Sequence, residues 1–448
     1  MKCNWNMCGK ARVYVIFAFA VLLFYCHGAG AALRLSVGRG PVRSVSVSLA
    51  PLYAVTDLAN KIGSNCSGVI LNDLNSTGSF SVHVEVPDGF SVLPEGMPDS
   101  DAWTANKHDI LLTGSVKEAE SGLINLKIFV WDVATKSQMN AKSLHFSVGN
   151  WRQAAHSIAD LIYSRVTGNT GYFDTKIVYV ASDNGVRRIA VMDHDGANST
   201  YITGSKEKWV GLPRFSPDKR QVIYARQGEN GSEIMLHDLD REESSMLLHL
   251  EGEISSLEFS PTSNEILLSS TVEGKSNILS FNITDGNIQK LTDDGFANAS
   301  ASYSPDGRTI VFSSDRSGST QLYTRGIGVE NQKKISSSGL GKYVSPVWSP
   351  RGDLIAFIKV KGNSCNIGVM RPDGSREKIV ATDCIVDAPA WASNGRVLLY
   401  TKHRDNVPNG ESGGSSLVVT DLSGAHRRIL PTLGDASDAD WSSTLPQG

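Results

Sequence analysis

The sequence predicts a two-part chain: an N-terminal α/β domain followed by an all-β six-bladed β-propeller closed by its C-terminal strand. Three observations carry this reading. A short motif recurs about every 44 residues through the second half of the chain, the first part shows helix and strand periodicities without any repeat, and the bulk composition is that of a folded protein. Of 448 residues, 40% are hydrophobic and 20% charged, which excludes disordered, collagenous and fibrous classes. A formal charge of -3 gives no positive field, so nucleic acid and anionic membrane are not expected as main partners.

The chain opens with a targeting segment. Lys2, Lys10 and Arg12 precede an acid-free apolar run over residues 13–25, followed by the small residues Gly28, Ala29, Gly30, Ala31 and Ala32. This is the pattern of a secretory signal peptide over residues 1–31, cleaved near Ala31. The apolar run has 13 residues, whereas a bilayer-crossing helix needs about 20, so no transmembrane segment is expected in the mature chain. Losing three basic residues with the signal takes the charge from -3 to -6. Tyr25 stands where a lipoprotein signal needs a small residue before Cys26.

Residues 32–170 read as the α/β domain. Val45, Val47 and Leu49 alternate as on a half-buried strand, as do Phe80, Val82, Val84 and Val86. Between them Val55, Leu58, Ala59, Ile62, Val69 and Leu74 fall on one helical face. Further strands are expected over residues 110–116, 123–131 and 143–148. A second helix opens with Asn150 as N-cap, turns Trp151, Ala154, Ala155, Ile158, Leu161 and Ile162 inward, and stops at Gly168.

Residues 171–448 carry the repeat. An aromatic residue followed by Ser-Pro-Asp-Gly or a relic of it stands at Phe215, Phe259, Tyr303, Trp348, Trp391 and Trp441, at spacings of 44, 44, 45, 43 and 50 residues. The last spacing is long because residues 404–416 form a polar, Gly-rich insertion. Each period holds four period-two strands separated by Pro and Gly turns, the signature of a propeller blade, whose closure leaves no long sheet edge unpaired. The strand ending at Trp441 has no following strands of its own. It is expected to complete the first blade, whose segment from Lys176 to Thr203 lacks a first strand.

Literal catalytic motifs fail in context. Gly410-Glu411-Ser412-Gly413-Gly414 spells G-x-S-x-G, yet it lies in a polar loop of a strand repeat where a nucleophile elbow needs a strand before and a helix after. Gly274-Lys275-Ser276 resembles the end of a phosphate loop, but position 269 is Ser and no helix follows. Asp193-His194-Asp195-Gly196 departs from a calcium loop at Ala197 and Asn198 and reads as a hairpin turn. His156 is expected to be a packed or solvated helix residue. There is no H-x-x-x-H pair and no C-x-x-C in the mature chain, so neither a metal, a cofactor nor catalysis is expected. Three cysteines remain after cleavage. Cys66 reads as a small buried apolar side chain, whereas Cys365 and Cys384 flank a hairpin turning at Pro372-Asp373-Gly374 and either form a disulfide or stay reduced.

With signal, α/β domain and six blades in hand, the chain resembles the TolB family of periplasmic Tol-Pal proteins across its mature length. The junction carries the resemblance most specifically: Trp151, His156, Asp160, Thr167-Gly168 and then Lys176-Ile177-Val178-Tyr179-Val180, together with the stretch from Leu74 to Phe80 and the terminal Asp440-Trp441-Ser442. The resemblance implies a non-catalytic periplasmic scaffold that binds Pal, the peptidoglycan-associated lipoprotein, through a propeller face and TolA of the inner membrane through its mature N-terminus, supporting outer-membrane invagination at cell division and envelope integrity. The segment equivalent to the TolA box is residues 33–40. Leu33, Arg34, Leu35, Ser36 and Val37 alternate as a strand added to a partner's sheet edge requires, or as a strand of the chain's own domain. Arg34, Arg39 and Arg43 stand where the family often has acidic residues. The alternative class is a secreted propeller hydrolase or lactonase with a metal in its central channel.

Overall fold

The structure is a computed structural model that describes residues 44–84, 108–337, 341–383, 385–403 and 414–443. The signal segment, residues 33–40 and Cys384 lie outside these residues.

The first domain is a five-stranded sheet with two helices packed against it. Strands β1 (Val45–Leu49), β2 (Phe80–Val84), β3 (Ile110–Glu118), β4 (Ile124–Asp132) and β5 (Ser137–Phe146) lie in the order β2-β1-β3-β4-β5. β1 is parallel to both neighbours, which a crossover through helix α1 (Asp57–Ser76) allows. Inward residues Ile124, Leu126, Ile128 and Val130 of β4 alternate with partly exposed ones, so one sheet face meets the core.

Helix α1 starts because Thr56 is extended and its Oγ1 accepts from the Ala59 amide at 3.2 Å. This start corrects two members of the expected helical face. Val55 precedes the cap and is 77% exposed, and Leu58 is 39% exposed because the buried face is set by Ala59, Ile62, Cys66, Ile70 and Leu74. Cys66 is buried as expected, and burial pushes its thiol up to about 12, which leaves it without reactive thiolate. Helix α2 (Trp151–Thr167) begins at Asn150, whose side chain makes no capping bond, and ends at Gly168 in the left-handed conformation, φ 72°.

Six four-stranded antiparallel sheets follow. In the first, the C-terminal strand Asp435–Trp441 pairs with β6 (Lys176–Asp183), which pairs with β7 (Val186–Asp193) and then with β8 (Thr200–Tyr201). The chain therefore closes its own ring at blade 1. The innermost strands of blades 2 to 6 are Val210–Phe215, Glu253–Phe259, Asn298–Tyr303, Lys342–Trp348 and Ile385–Trp391, each ending at one of the repeat aromatics. One buried apolar cluster runs without a break from Leu74 and Ile158 through Phe173 and Ile177 to Leu399 and Trp441, joining the helices of the first domain to blades 1 and 6.

Candidate functional site: the propeller channel and the domain junction

The inner strands surround a cavity of about 490 Å³ lined by repeat aromatics such as Phe215, Trp348 and Trp391 and by prolines of the Ser-Pro turns such as Pro217 and Pro350. Three residues before the aromatic, four of these strands hold a non-glycine residue at positive φ: Leu212 (56°), Ser300 (53°), Ser345 (49°) and Asp438 (49°). The pairing register shifts at each of these places. A bulge there adds twist and turns the strand's edge toward the channel, and such non-glycine left-handed residues are held only where surrounding contacts fix them.

The residue just before the aromatic joins one blade to the next. The Phe215 amide donates to Asp440 Oδ2 at 2.9 Å, the Tyr303 amide to Glu258 Oε1 at 3.2 Å, and the Trp348 amide to Ser302 Oγ at 3.0 Å. Arg214 reaches Asp438 at 3.4 Å. Burial in the channel wall pushes the Glu258 carboxyl up to about 8, against the amide and hydroxyl donors of Tyr303 and Ser302. Burial raises Asp440 in the same direction. These carboxyl groups serve backbone donors, and this arrangement supplies cohesion between blades.

The second cluster lies between the domains. Asp73 of α1 takes His156 Nδ1 of α2 on one oxygen at 2.7 Å and His194 Nε2, in the turn after β7, on the other at 2.9 Å. All three side chains are buried, and the two rings meet edge to face at 4.9 Å. Burial alone would raise the Asp73 carboxyl, but the charges and N–H groups of His194 and His156 outweigh it and hold it at about 2. For His156, the bond and charge of Asp73 overcome burial and raise its pKa. For His194, burial dominates and lowers it. The donors are of a type that binds zinc, but Arg428 faces His194 Nδ1 at 3.4 Å as a donor. Nδ1 is then the acceptor and Nε2 carries the hydrogen, so the triad is a hydrogen-bonded clasp.

Around it, Arg152 of α2 donates to Asp193 Oδ2 at 3.1 Å and pairs with Asp195, and Lys176 holds Asp193 Oδ1 at 3.0 Å. Asp160 of α2 accepts the amides of Phe173 at 2.8 Å and Asp174 at 3.1 Å, fixing the connector into blade 1. Gly171 is required there, because a Cβ would lie 2.1 Å from Asp160 Oδ1. The junction lies on the propeller face that carries the Ser-Pro turns, where Arg351 of blade 5 also reaches Asn169 at 3.3 Å.

The structure thus brings together His156, Asp160 and the Asp193–Gly196 turn, which sequence reasoning singled out separately. The turn is a hairpin turn, with the Gly196 amide bonded to Asp193 O at 2.9 Å. Asp73 was missed. Its signal is a charged residue on the buried face of α1, next to Leu74 and one turn from Ile70. Gly274 sits in a hairpin and leads into a strand, and Gly414 leads into the strand Ser415–Asp421, so neither motif is followed by the helix its chemistry needs. Cys365 is a half-buried free thiol whose register partner is Asp383, and its expected partner Cys384 lies outside the described residues, as do Leu33, Arg34, Leu35, Ser36 and Val37. Among the described residues no helix is long and apolar enough to cross a membrane.

Two family models match the chain, the TolB amino-terminal domain over residues 33–139 and the TolB beta propeller domain over residues 163–445. A Tol-Pal system protein TolB from Gluconobacter oxydans is 39% identical over 85% of this chain and 83% of its own length. One from Rickettsia bellii is 35% identical over 95% of this chain and 99% of its own. The relative from Anaplasma marginale is 48% identical, but its match spans 53% of this chain and 55% of that protein. Among solved structures, TolB from Acinetobacter baumannii superposes with a TM-score of 0.78 at 21% identity, covering 90% of this chain and 97% of that one, and shows the same fold.

Proposed function

The chain belongs to the TolB family, a non-catalytic component of the Tol-Pal system, and on that premise we propose that it is an exported periplasmic scaffold with two partner sites. A propeller face binds a Pal-like peptidoglycan-associated lipoprotein of the outer membrane. Residues 33–40 bind a TolA-like inner-membrane protein by adding a strand to its sheet edge, with Leu33, Leu35 and Val37 on one side and Arg34 favouring an acidic partner surface. Joining the two membranes in this way supports outer-membrane invagination at division and envelope integrity.

The observation that carries this reading is that both family domains occur in one chain and share one buried core and one polar clasp, so a load on one domain passes to the other. The test is an affinity pull-down of residues 32–448 from detergent-solubilised envelope of the source organism, with a 33–40 deletion alongside. Both forms are expected to retain the lipoprotein, and the deletion to lose the inner-membrane protein. Recovery of neither partner by the intact chain contradicts the proposal.

A further inference from the structure

The clasp places two titrating donors on one buried carboxylate, whereas Asp160 beside it is pushed up to about 6 by burial, so it costs stability as pH rises from 3.8 to about 6 and gives no loss on the acid side. Its three side chains come from three separate elements, two in the first domain and one in the propeller, and they are buried where no solvent can replace a lost partner. One carboxylate serves two imidazoles. With one proton shared between the rings beyond their neutral forms, the cluster is a carboxylate, an imidazolium and a neutral imidazole, with no net charge. A second added proton leaves an unpaired buried cation, and removing the first leaves an unpaired buried anion; both are costly.

The surroundings distinguish the two rings. On α2, His156 has Arg152 on its own helix, and a ring nitrogen lies within 4.8 Å of carboxylate oxygens of Asp193 and Asp195 from blade 1. Its Nε2 is buried without a hydrogen-bond partner. Lys176 of blade 1 and Arg152 partly neutralise those carboxylates. His194 instead faces Arg428 of blade 6, and the rings of Tyr172 and Phe173 from the connector close around it at 6.1 and 5.3 Å. Farther out, Asp160 and Asp174 act on Lys219 of blade 2 and on one another. The negative field is on the His156 side and the positive one on the His194 side, so the single extra proton resides on His156.

We propose that Asp73, His156 and His194 form a proton-counting latch that holds the first domain on the propeller near neutral pH and loosens it on both the acid and the alkaline side. The directions of the shifts agree. His194 is held below its ordinary 6.5, so the unfolded or opened chain takes up a proton that the closed one refuses, and closure weakens as pH falls below 6.5. His156 is held above 6.5, so its contribution is complete below 6.5 and is lost as pH rises through its value in the closed form. This device is independent of which partners the two domains bind.

The test is hydrogen exchange of the intact mature chain at pH 5, 7 and 8.5, corrected for intrinsic exchange and read over residues 169–175 and α2. Protection is expected to peak near pH 7 and to fall about tenfold by pH 5. His194→Gln keeps an N–H for Asp73 but cannot take up charge, and is expected to abolish the acid loss; His156→Gln is expected to abolish the alkaline loss. Equal protection at all three pH values, or an acid loss unchanged in His194→Gln, overturns the latch. So does a drop in protection at pH 7 on adding EDTA, which would make the cluster a metal site. If a variant does not fold, an imidazole NMR titration of the unaltered chain decides: His156 is expected to titrate above 6.5 and His194 below, and coincident titration near 6.5 overturns the proposal.

Discussion

The channel and the junction both sequester ionisable side chains, but they spend them differently. In the channel, Asp440 and Glu258 accept backbone amides of the neighbouring blade, donors that never change protonation. At the junction, Asp73 accepts two imidazoles, which change protonation near neutral pH. The ring's staples therefore keep their amide donors at every pH and respond only through their buried carboxyl acceptors, whereas at the junction the donors themselves titrate. A carboxyl held up to about 8, as in Glu258, can still accept an amide hydrogen through its carbonyl oxygen when protonated.

Removing the acceptor at the junction is expected to have the largest effect. Asp73→Ala leaves two buried histidines without their partner and is expected to cost about 3–5 kcal/mol, read by thermal unfolding, because a buried charge cluster loses its compensating member. A loss under about 1 kcal/mol would show that the apolar core alone holds the domains. The matching change in the channel, Asp440→Ala, strands the Phe215 amide and is expected to cost about 1–3 kcal/mol in denaturant unfolding.

Glu258→Gln sharpens the contrast through its sign. Because the native carboxyl is held above its ordinary 4.5, the folded chain keeps a proton that the unfolded one releases, and the wild type loses stability as pH rises from 4.5 to about 8. The glutamine variant lacks that slope. It is expected to equal the wild type near pH 4 and to exceed it by about 1–2 kcal/mol at pH 8, a figure kept small because the channel wall retains some solvent. Parallel unfolding curves at both pH values would show that Glu258 is ordinarily ionised. Smallest is Ser302→Ala, which removes the acceptor for the Trp348 amide and is expected to cost about 1 kcal/mol, visible as a small shift in midpoint without a change of slope.

The same contrast governs what could be read from the sequence. The six blades were legible because each repeats its own local signals: an aromatic, a Ser-Pro turn or the relic of one, and period-two strands. The closing strand at Trp441 followed from counting which blade lacked a first strand. The channel staples were not legible, since Ser302, Glu258 and Asp440 occupy one repeat position yet share no residue type. At the junction, His156 read as a packed helix residue and His194 as part of a turn, and both readings describe their local setting correctly. Their bond to Asp73 spans 83 and 121 residues, a separation no local pattern encodes. Likewise Val55 fitted the helical period but falls before the cap at Thr56, because periodicity places a face more securely than it places an end.

If one chain carries two different partners on two domains, site-specific photocrosslinking in living cells separates them. A photoreactive residue replaces Leu35 in one strain, and Ser393 or Asp387, near opposite ends of the innermost strand of blade 6, in two others. An inner-membrane TolA-like adduct is expected from position 35 alone, and a peptidoglycan-binding lipoprotein adduct from one of the two propeller positions but not from position 35. The same protein captured from position 35 and from the propeller, or no envelope protein captured from any of the three, would contradict it.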